Sequence, residues 1–225
     1  TNYDYSMNST VTTQLGVCGV PACTAEGEGE GEGASEGEGE GEGSAPTDLT
    51  WHEATAAAPW LSREGHALLT FNDKLWILGG RNTIAGFNTY LSDVWSSSDG
   101  VNWTQVTSAA PWAGRLYFGA VVFNGRMWVI GGLGTASRYF SDIWSSADGA
   151  NWTQEATTTA FGQRYLAAVT SFAGQLWSLG GGSNAGATHD VYHSGDGINW
   201  SQSVAAVSWS TRLGLASAAL SGQLF

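Results

Sequence analysis

Arginine is the residue type whose spacing in this sequence most readily suggests chemistry. It recurs at intervals of 52, 49 and 48 residues, at Arg63, Arg115, Arg164 and Arg212. If the units around these positions surround an axis, four guanidinium groups would form a positive ring at the mouth of a central channel and would suit an anionic ligand. A repeated arginine can instead bind its own unit, through backbone carbonyls or through Asp93, Asp142 or Asp190. The repetition favours this structural interpretation.

Tryptophan is the second candidate, because sugars stack on exposed indole rings. All 12 tryptophans fall at positions that recur along the chain, with other aromatic residues in some copies, as packing between repeats requires. One set is structural: Trp103, Trp152 and Trp200. Another set lies in the segments that connect the repeats and is the best candidate for a ligand platform, with carbohydrate as a possible ligand: Trp60, Trp112 and Trp209.

Histidine and cysteine indicate neither a metal site nor a cofactor. On a strand, His189 and His193 would lie roughly 13 Å apart, too far to share an ion. Cys18 and Cys23 enclose Gly-Val-Pro-Ala and predict a small disulfide loop, with two free thiols as the alternative. A disulfide would indicate an oxidising compartment, outside the cell or at its surface. Because the sequence also has no motif for nucleophilic catalysis or phosphate binding, we expect no cofactor and no enzymatic activity.

Charge divides the chain into three parts. Eight of the 20 acidic residues alternate with glycine between Glu26 and Glu42. Such a segment cannot bury apolar surface, so residues 26–47 are predicted to be a disordered acidic linker between an N-terminal segment, 1–25, and a globular part, 48–225. The globular part has eleven acidic and eight basic residues and no basic stripe, which argues against nucleic acid as a partner. No apolar stretch approaches the roughly 20 residues of a membrane span.

Four markers recur across residues 48–225 with a common period. They are the arginine, an Asp-Val-Trp segment, an Asn-Trp pair, and two adjacent glycines, at Gly79 and Gly80, Gly131 and Gly132, and Gly180 and Gly181. In the first unit, runs at 66–71, 75–78, 91–96 and 102–106 predict four strands, with turns at Asn72-Asp73 and Asp99-Gly100. The paired glycines should let neighbouring backbones approach closely. A period of about 50 residues with four strands predicts the blade of an all-β propeller.

These residues resemble the kelch repeat of galactose-oxidase-like propellers: a hydrophobic strand, Gly-Gly, spaced aromatics and an opening arginine. The resemblance covers residues 48–225 and implies four-stranded antiparallel blades, three complete (64–107, 116–156 and 165–204) and one partial. The hairpin at 97–103 is similar to the Asp-box of sialidase-type propellers, although it is one residue shorter. We interpret it as the same kind of turn and not as sialidase activity, which would need an arginine cluster outside the repeat with unpaired acids and a tyrosine.

A single blade cannot cover its own apolar faces, so the repeats indicate a scaffold. We expect a non-catalytic extracellular or cell-surface protein that binds a protein partner or joins a larger assembly. Residues 49–54 align with a fourth strand, so apolar edges at Trp51 and Phe225, together with a strand candidate at 9–15, would recruit another copy or another chain. The alternative is part of a secreted kelch-type enzyme, an oxidase or a glycan-processing enzyme, whose catalytic residues lie in further blades.

Overall fold

Three four-stranded antiparallel sheets form most of the fold in this computed structural model, which describes residues 53–204 and 207–225. In each sheet, strands that follow one another in sequence are neighbours. The strands are β1 (Ala67–Phe71), β2 (Lys74–Ile84), β3 (Phe87–Ser97) and β4 (Thr104–Thr107); β5 (Gly119–Phe123), β6 (Arg126–Gly134), β7 (Arg138–Ser146) and β8 (Thr153–Ala156); β9 (Ala168–Phe172), β10 (Gln175–Ser183), β11 (Gly186–Ser194) and β12 (Ser201–Val204); and a short pair, β13 (Ala219–Leu220) and β14 (Gln223–Leu224).

The three sheets confirm the predicted all-β blades, and within the described residues only a short 3₁₀ turn, Thr135–Ser137, interrupts the strands. The second, third and fourth strands differ from the prediction by more than one residue, and the third begins at Phe87, four residues earlier than predicted. The second strand does not end at the glycine pair, because the register shifts between Leu78 and Gly80 and the strand continues past this bulge. The fourth strand starts later, at Thr104, because the preceding residues belong to a hydrogen-bonded turn. The disulfide, the strand candidate at 9–15 and the acidic linker lie outside the described residues.

Two-residue turns join the first strand of each sheet to the second. In the first sheet Asn72 and Asp73 have φ angles of 49° and 55°. Positive φ at both central residues is the pattern of the type I′ turn, whose twist matches that of the flanking strands. The turn predicted at Asn72-Asp73 is therefore confirmed.

The sheets pack face to face around a common groove. The first strands of successive sheets, β1, β5 and β9, contact one another in order. A Cβ on Gly119 of β5 would lie 2.3 Å from Val169 of β9, so glycine permits this close approach. One apolar cluster joins the first and second sheets and another joins the second and third, so the core lies between blades. This arrangement is a β-propeller architecture.

A turn held by side chains closes the third and fourth strands of each four-stranded sheet. In the first sheet the Ser97 hydroxyl accepts a hydrogen bond from the Gly100 N–H at 2.8 Å, and the Asp99 carboxylate accepts one from the Asn102 N–H at 2.7 Å. The Trp103 indole then donates to the Gly100 carbonyl at 3.0 Å. The same bonds recur at residues 146–152 and 194–200. This geometry explains the repeated Asp, Asn and Trp by local structure.

We expect acid to weaken these turns. Hydrogen bonds from Asn151 lower the pKa of Asp148 from 3.8 to about 2. At Asp196 burial would raise the pKa, but bonds from Asn199 and Ile198 outweigh it and lower the pKa to about 2. Because the folded pKa lies below the unfolded one, the stabilisation is present above about pH 4 and is lost as the pH falls towards 2.

The measurement is urea unfolding at several pH values between about 4 and 2, for the wild type and for the variant Asp148→Asn/Asp196→Asn. Since asparagine keeps an acceptor oxygen but does not ionise there, the variant should lose less stability over this interval. Parallel pH profiles for the two proteins would show that the turn carboxylates are not responsible.

Candidate functional site

Three of the four repeated arginines lie inside the blades. Arg115 binds Asp142 through two hydrogen bonds of 2.7 and 3.0 Å and also donates to the Gly131 carbonyl at 2.8 Å. Its side chain has 0% exposure. Burial alone would raise the pKa of Asp142, but the bonds and charge of Arg115 outweigh burial and lower it. Equivalent bidentate pairs join Arg63 to Asp93 and Arg164 to Asp190.

This placement agrees with the structural interpretation that the repetition favoured, and it excludes these three guanidinium groups from the alternative, a positive ring at the channel mouth, because they are already bound within the fold. Arg212 differs from them. Its side chain is exposed, and its hydrogen bonds within the described part of the chain go to the carbonyl and hydroxyl of Ser210.

The backbone of the arginine segment links each blade to the one before it. The Arg115 N–H donates to the Leu91 carbonyl at 3.1 Å, and the Arg115 carbonyl accepts from the Gly80 N–H at 2.9 Å. The same two bonds recur at Arg164 and Arg212. We call this line of backbone bonds between successive blades the seam. A Cβ on Gly131 would lie 2.3 Å from the Arg164 carbonyl oxygen, so the close approach predicted for the paired glycines occurs at the seam.

The tryptophans of the connecting segments pack on the structural tryptophans. The ring pairs are T-shaped, with centroids 4.5 Å apart for Trp60 and Trp103, and 5.8 Å apart for Trp112 and Trp152. Trp112 is only 1% exposed, so it cannot serve as the ligand platform considered for it. Trp60 and Trp209 are partly buried, and Trp209 packs against the apolar cluster of the third sheet. Trp200 pairs in the same way with Phe161.

A chain of backbone hydrogen bonds runs along the rim of the groove, where the chain enters the first strand of each sheet. Four equivalent rim residues have left-handed backbones with φ of 60°, 56°, 52° and 68°: Gly65, Tyr117, Leu166 and Gly214. The N–H of each of the last three donates to the carbonyl of the one before it, at 2.9, 2.8 and 2.9 Å. Glycine adopts this conformation readily, but a tyrosine or a leucine does so only with strain.

Beside this rim, the first sheet carries three polar side chains in one row across its strands. Glu64 pairs with Arg81, and Arg81 lies opposite Tyr90 in the β2–β3 register. The equivalent rows are Leu116, Leu133 and Tyr139 in the second sheet, and Tyr165, Gly182 and Ala187 in the third. The ion pair is therefore specific to the first sheet. We call Glu64, Arg81, Tyr90 and the adjacent Tyr117 the rim cluster.

The rim cluster is polar, electrically balanced and open to solvent. The Arg81 guanidinium binds the Glu64 carboxylate, with an Nε–Oε1 distance of 2.9 Å, and these side chains are 25% and 40% exposed. Burial would lower the pKa of Arg81, but Glu64 and the Tyr90 phenol raise it overall. Burial and the Glu64 carboxylate raise the pKa of Tyr117. The raised pKa keeps the Tyr117 phenol protonated, so it can donate a hydrogen bond next to a pre-formed ion pair.

The groove below the rim is concave and open to solvent, and more of its accessible surface is polar than apolar although most of its lining residues have apolar side chains. It encloses about 360 Å³ and is lined by the first strands of the sheets and by residues 215–217. Small residues dominate its wall, among them Ala67, Gly119 and Ala168. His66 also lies on the wall, and burial followed by the Arg63 charge lowers its pKa, which favours the neutral imidazole. Within residues 53–204 and 207–225, no group of three or more His, Cys, Asp or Glu side chains could hold a metal ion.

Sequence reasoning missed the rim cluster. It contains one arginine, one acid paired with that arginine and two tyrosines, so it is not the cluster of arginines with unpaired acids that a sialidase-type site would need. The available signal was departure from the repeat. Where the first unit has Glu64 and Arg81, the second has Leu116 and Leu133.

A β-propeller is the class of protein that this fold defines. The chain belongs to the family described as the DUF6242 beta propeller domain, whose model matches residues 99–223. A solved structure titled "Structure of YjhT" is similar, with a TM-score of 0.61 and 18% identity over 71% of this chain and 57% of that chain. The chain thus spans little more than half the length of that protein, and the likeness shows the fold alone. No curated protein matches the sequence. Among the described residues, no helix is long and apolar enough to cross a membrane.

Proposed function

We propose that the protein is a non-catalytic binding scaffold of the extracellular space or cell surface, built on a kelch-like propeller, that joins a larger assembly. The opening arginine and the Gly-Gly pair of each blade support the kelch character, because they form the seams between blades. The predicted disulfide between Cys18 and Cys23 supports an oxidising compartment. An exposed apolar hairpin supports a role in protein binding, and it carries the proposal.

The hairpin of β2 and β3 is the longest in the described sheets. Its strands have 11 residues each, whereas the equivalent strands of the second and third sheets have 9. At its tip Ile84 and Phe87 pair across the turn and are 59% and 79% exposed. Two large apolar side chains paired at the tip of one hairpin can insert together into a partner, and buried aromatic anchors contribute strongly to binding energy.

Self-association tests this proposal. Light scattering of the wild type from about 1 to 100 µM should show concentration-dependent assembly, as expected for weak interfaces. The variant Ile84→Ser/Phe87→Ser should assemble at least tenfold more weakly with an unchanged melting temperature, since both side chains are exposed. Val101→Ser, at a 45% exposed position in the side-chain-held turn of the same sheet, is the matched control.

Two outcomes would contradict the proposal. If the wild type and the hairpin variant assemble equally, the tip is not the interface. If Leu220→Ser, at a 66% exposed position of the β13–β14 pair, abolishes assembly instead, the chains associate through the open blade edge.

A further inference from the structure

Tyr117 occupies a backbone conformation that is unfavourable for a bulky residue. Its φ of 56° lies in the left-handed region. Two of the three equivalent rim positions have glycine instead, Gly65 and Gly214. A side chain there is strained because its Cβ approaches the following carbonyl. Backbone strain of this kind is often retained at functional sites, where the side chain contributes something other than stability.

The contacts of Tyr117 show what that contribution is. Its ring packs against Gly65 so closely that a Cβ on the glycine would lie 2.9 Å from two ring carbons. This contact places Tyr117 beside the residue that follows Glu64, whose carboxylate is bound to Arg81 and, after burial, helps to raise the pKa of the Tyr117 phenol. Leu166 adopts the same backbone conformation in the next blade but has no polar group to offer. The strain at Tyr117 therefore coincides with the only ion pair that breaks the repeat in the described sheets.

The balance of charge and donors in the rim cluster defines the ligand chemistry. One guanidinium and one carboxylate cancel, so neither an anion nor a cation gains a net Coulombic advantage. A carboxylate, a guanidinium and two phenols together offer acceptors and donors at close range. The tyrosine rings supply apolar surface, and a second pair, Tyr139 and Tyr165, lies in the neighbouring rows with centroids 5.3 Å apart.

We propose that the rim cluster binds a neutral saccharide. The hydroxyl groups of a sugar both donate and accept hydrogen bonds, which matches the mixed set around Glu64 and Arg81. The apolar C–H face of a sugar ring matches a partly exposed tyrosine ring. This site is distinct from the hairpin tip and does not depend on self-association. It also differs from the tryptophan platforms considered from the sequence: the rim cluster contains no tryptophan, and Trp112 is buried.

The experiment is titration calorimetry with a defined panel of neutral oligosaccharides: lactose, cellotetraose, mannotetraose and chitotetraose. At least one should bind the wild type. Tyr117→Phe, which removes only the hydroxyl, and Arg81→Gln should each bind about tenfold more weakly. Tyr117→Gly should lose binding while the protein stays folded, because the relief of left-handed strain offsets part of the packing lost with the ring.

Leu166→Gly is the matched control, because it makes the same backbone change one blade further on. It should leave saccharide affinity unchanged, and the hairpin variant Ile84→Ser/Phe87→Ser should do so as well. The proposal is overturned if no saccharide of the panel binds, or if Tyr117→Gly and Leu166→Gly have equal effects. Tighter binding of sialyllactose than of lactose would also overturn it, since that result would indicate an anion site.

Discussion

Replacing Arg115 with glutamine should lower the free energy of unfolding by about 3–5 kcal/mol, the cost typical of breaking a buried ion pair by removing one partner. The guanidinium is fully buried, and both of its Nη atoms bind the Asp142 carboxylate. Glutamine cannot supply the charge, so Asp142 would remain ionised without its partner or take up a proton. The backbone bonds of residue 115 across the seam remain possible, so the variant isolates the side chain. Urea unfolding followed by tryptophan fluorescence measures the effect.

Arg212→Gln provides the comparison. This residue has the same place in the repeat, yet its side chain is exposed and bonds to Ser210. Its loss should change stability by no more than about 0.5 kcal/mol. If the two substitutions cost the same, burial and pairing with Asp142 do not determine the role of the repeated arginine. A cost below about 1 kcal/mol for Arg115→Gln would likewise contradict a buried, uncompensated charge.

The blades were predictable because the same turn and strand residues recur in each repeat and form the same local structure each time. The type I′ turn at Asn72-Asp73 needs only two residues that tolerate positive φ, and the side-chain-held turn at 97–103 needs only its own Ser, Asp, Gly, Asn and Trp. Such structure depends on neighbours in sequence. The predicted end of the second strand at Gly79 was wrong, because two glycines can either end a strand or form a bulge within it.

The candidate site was not predictable in the same way, because it depends on neighbours across blades. Tyr117 packs on Gly65, next to Glu64, only after the second blade has packed on the first. Spacing likewise could not show that Trp112 is buried while Trp60 is partly exposed, although both have the same place in the repeat. A repeat identifies what successive blades share. A binding site is built from the residues that differ between blades.

Substitution within the glycine pairs should lower the free energy of unfolding about as much as Arg115→Gln does, without changing any charge. Gly131→Ala should lower the free energy of unfolding by about 3 kcal/mol or more, combining left-handed strain of about 1–2 kcal/mol with overpacking of about 1–3 kcal/mol. The new Cβ would lie 2.3 Å from the Arg164 carbonyl oxygen, which is held in place by a 2.7 Å bond from the Gly132 N–H. Backbone on both sides of the seam would have to move.

Two other left-handed glycines separate the strain from the clash. At Gly174, φ is 72° and an added Cβ would meet no described atom within 4 Å, so alanine there should cost only about 1–2 kcal/mol. At Gly180, φ is 52° and the nearest atom is a Leu215 methyl group at 3.0 Å, which can move more easily than backbone. We therefore expect the cost of alanine to rise from Gly174 to Gly180 to Gly131, measured by urea unfolding. Equal costs at the three positions would mean that left-handed strain alone determines the loss, and that the blades can separate slightly at Gly131 without losing the bonds of the seam.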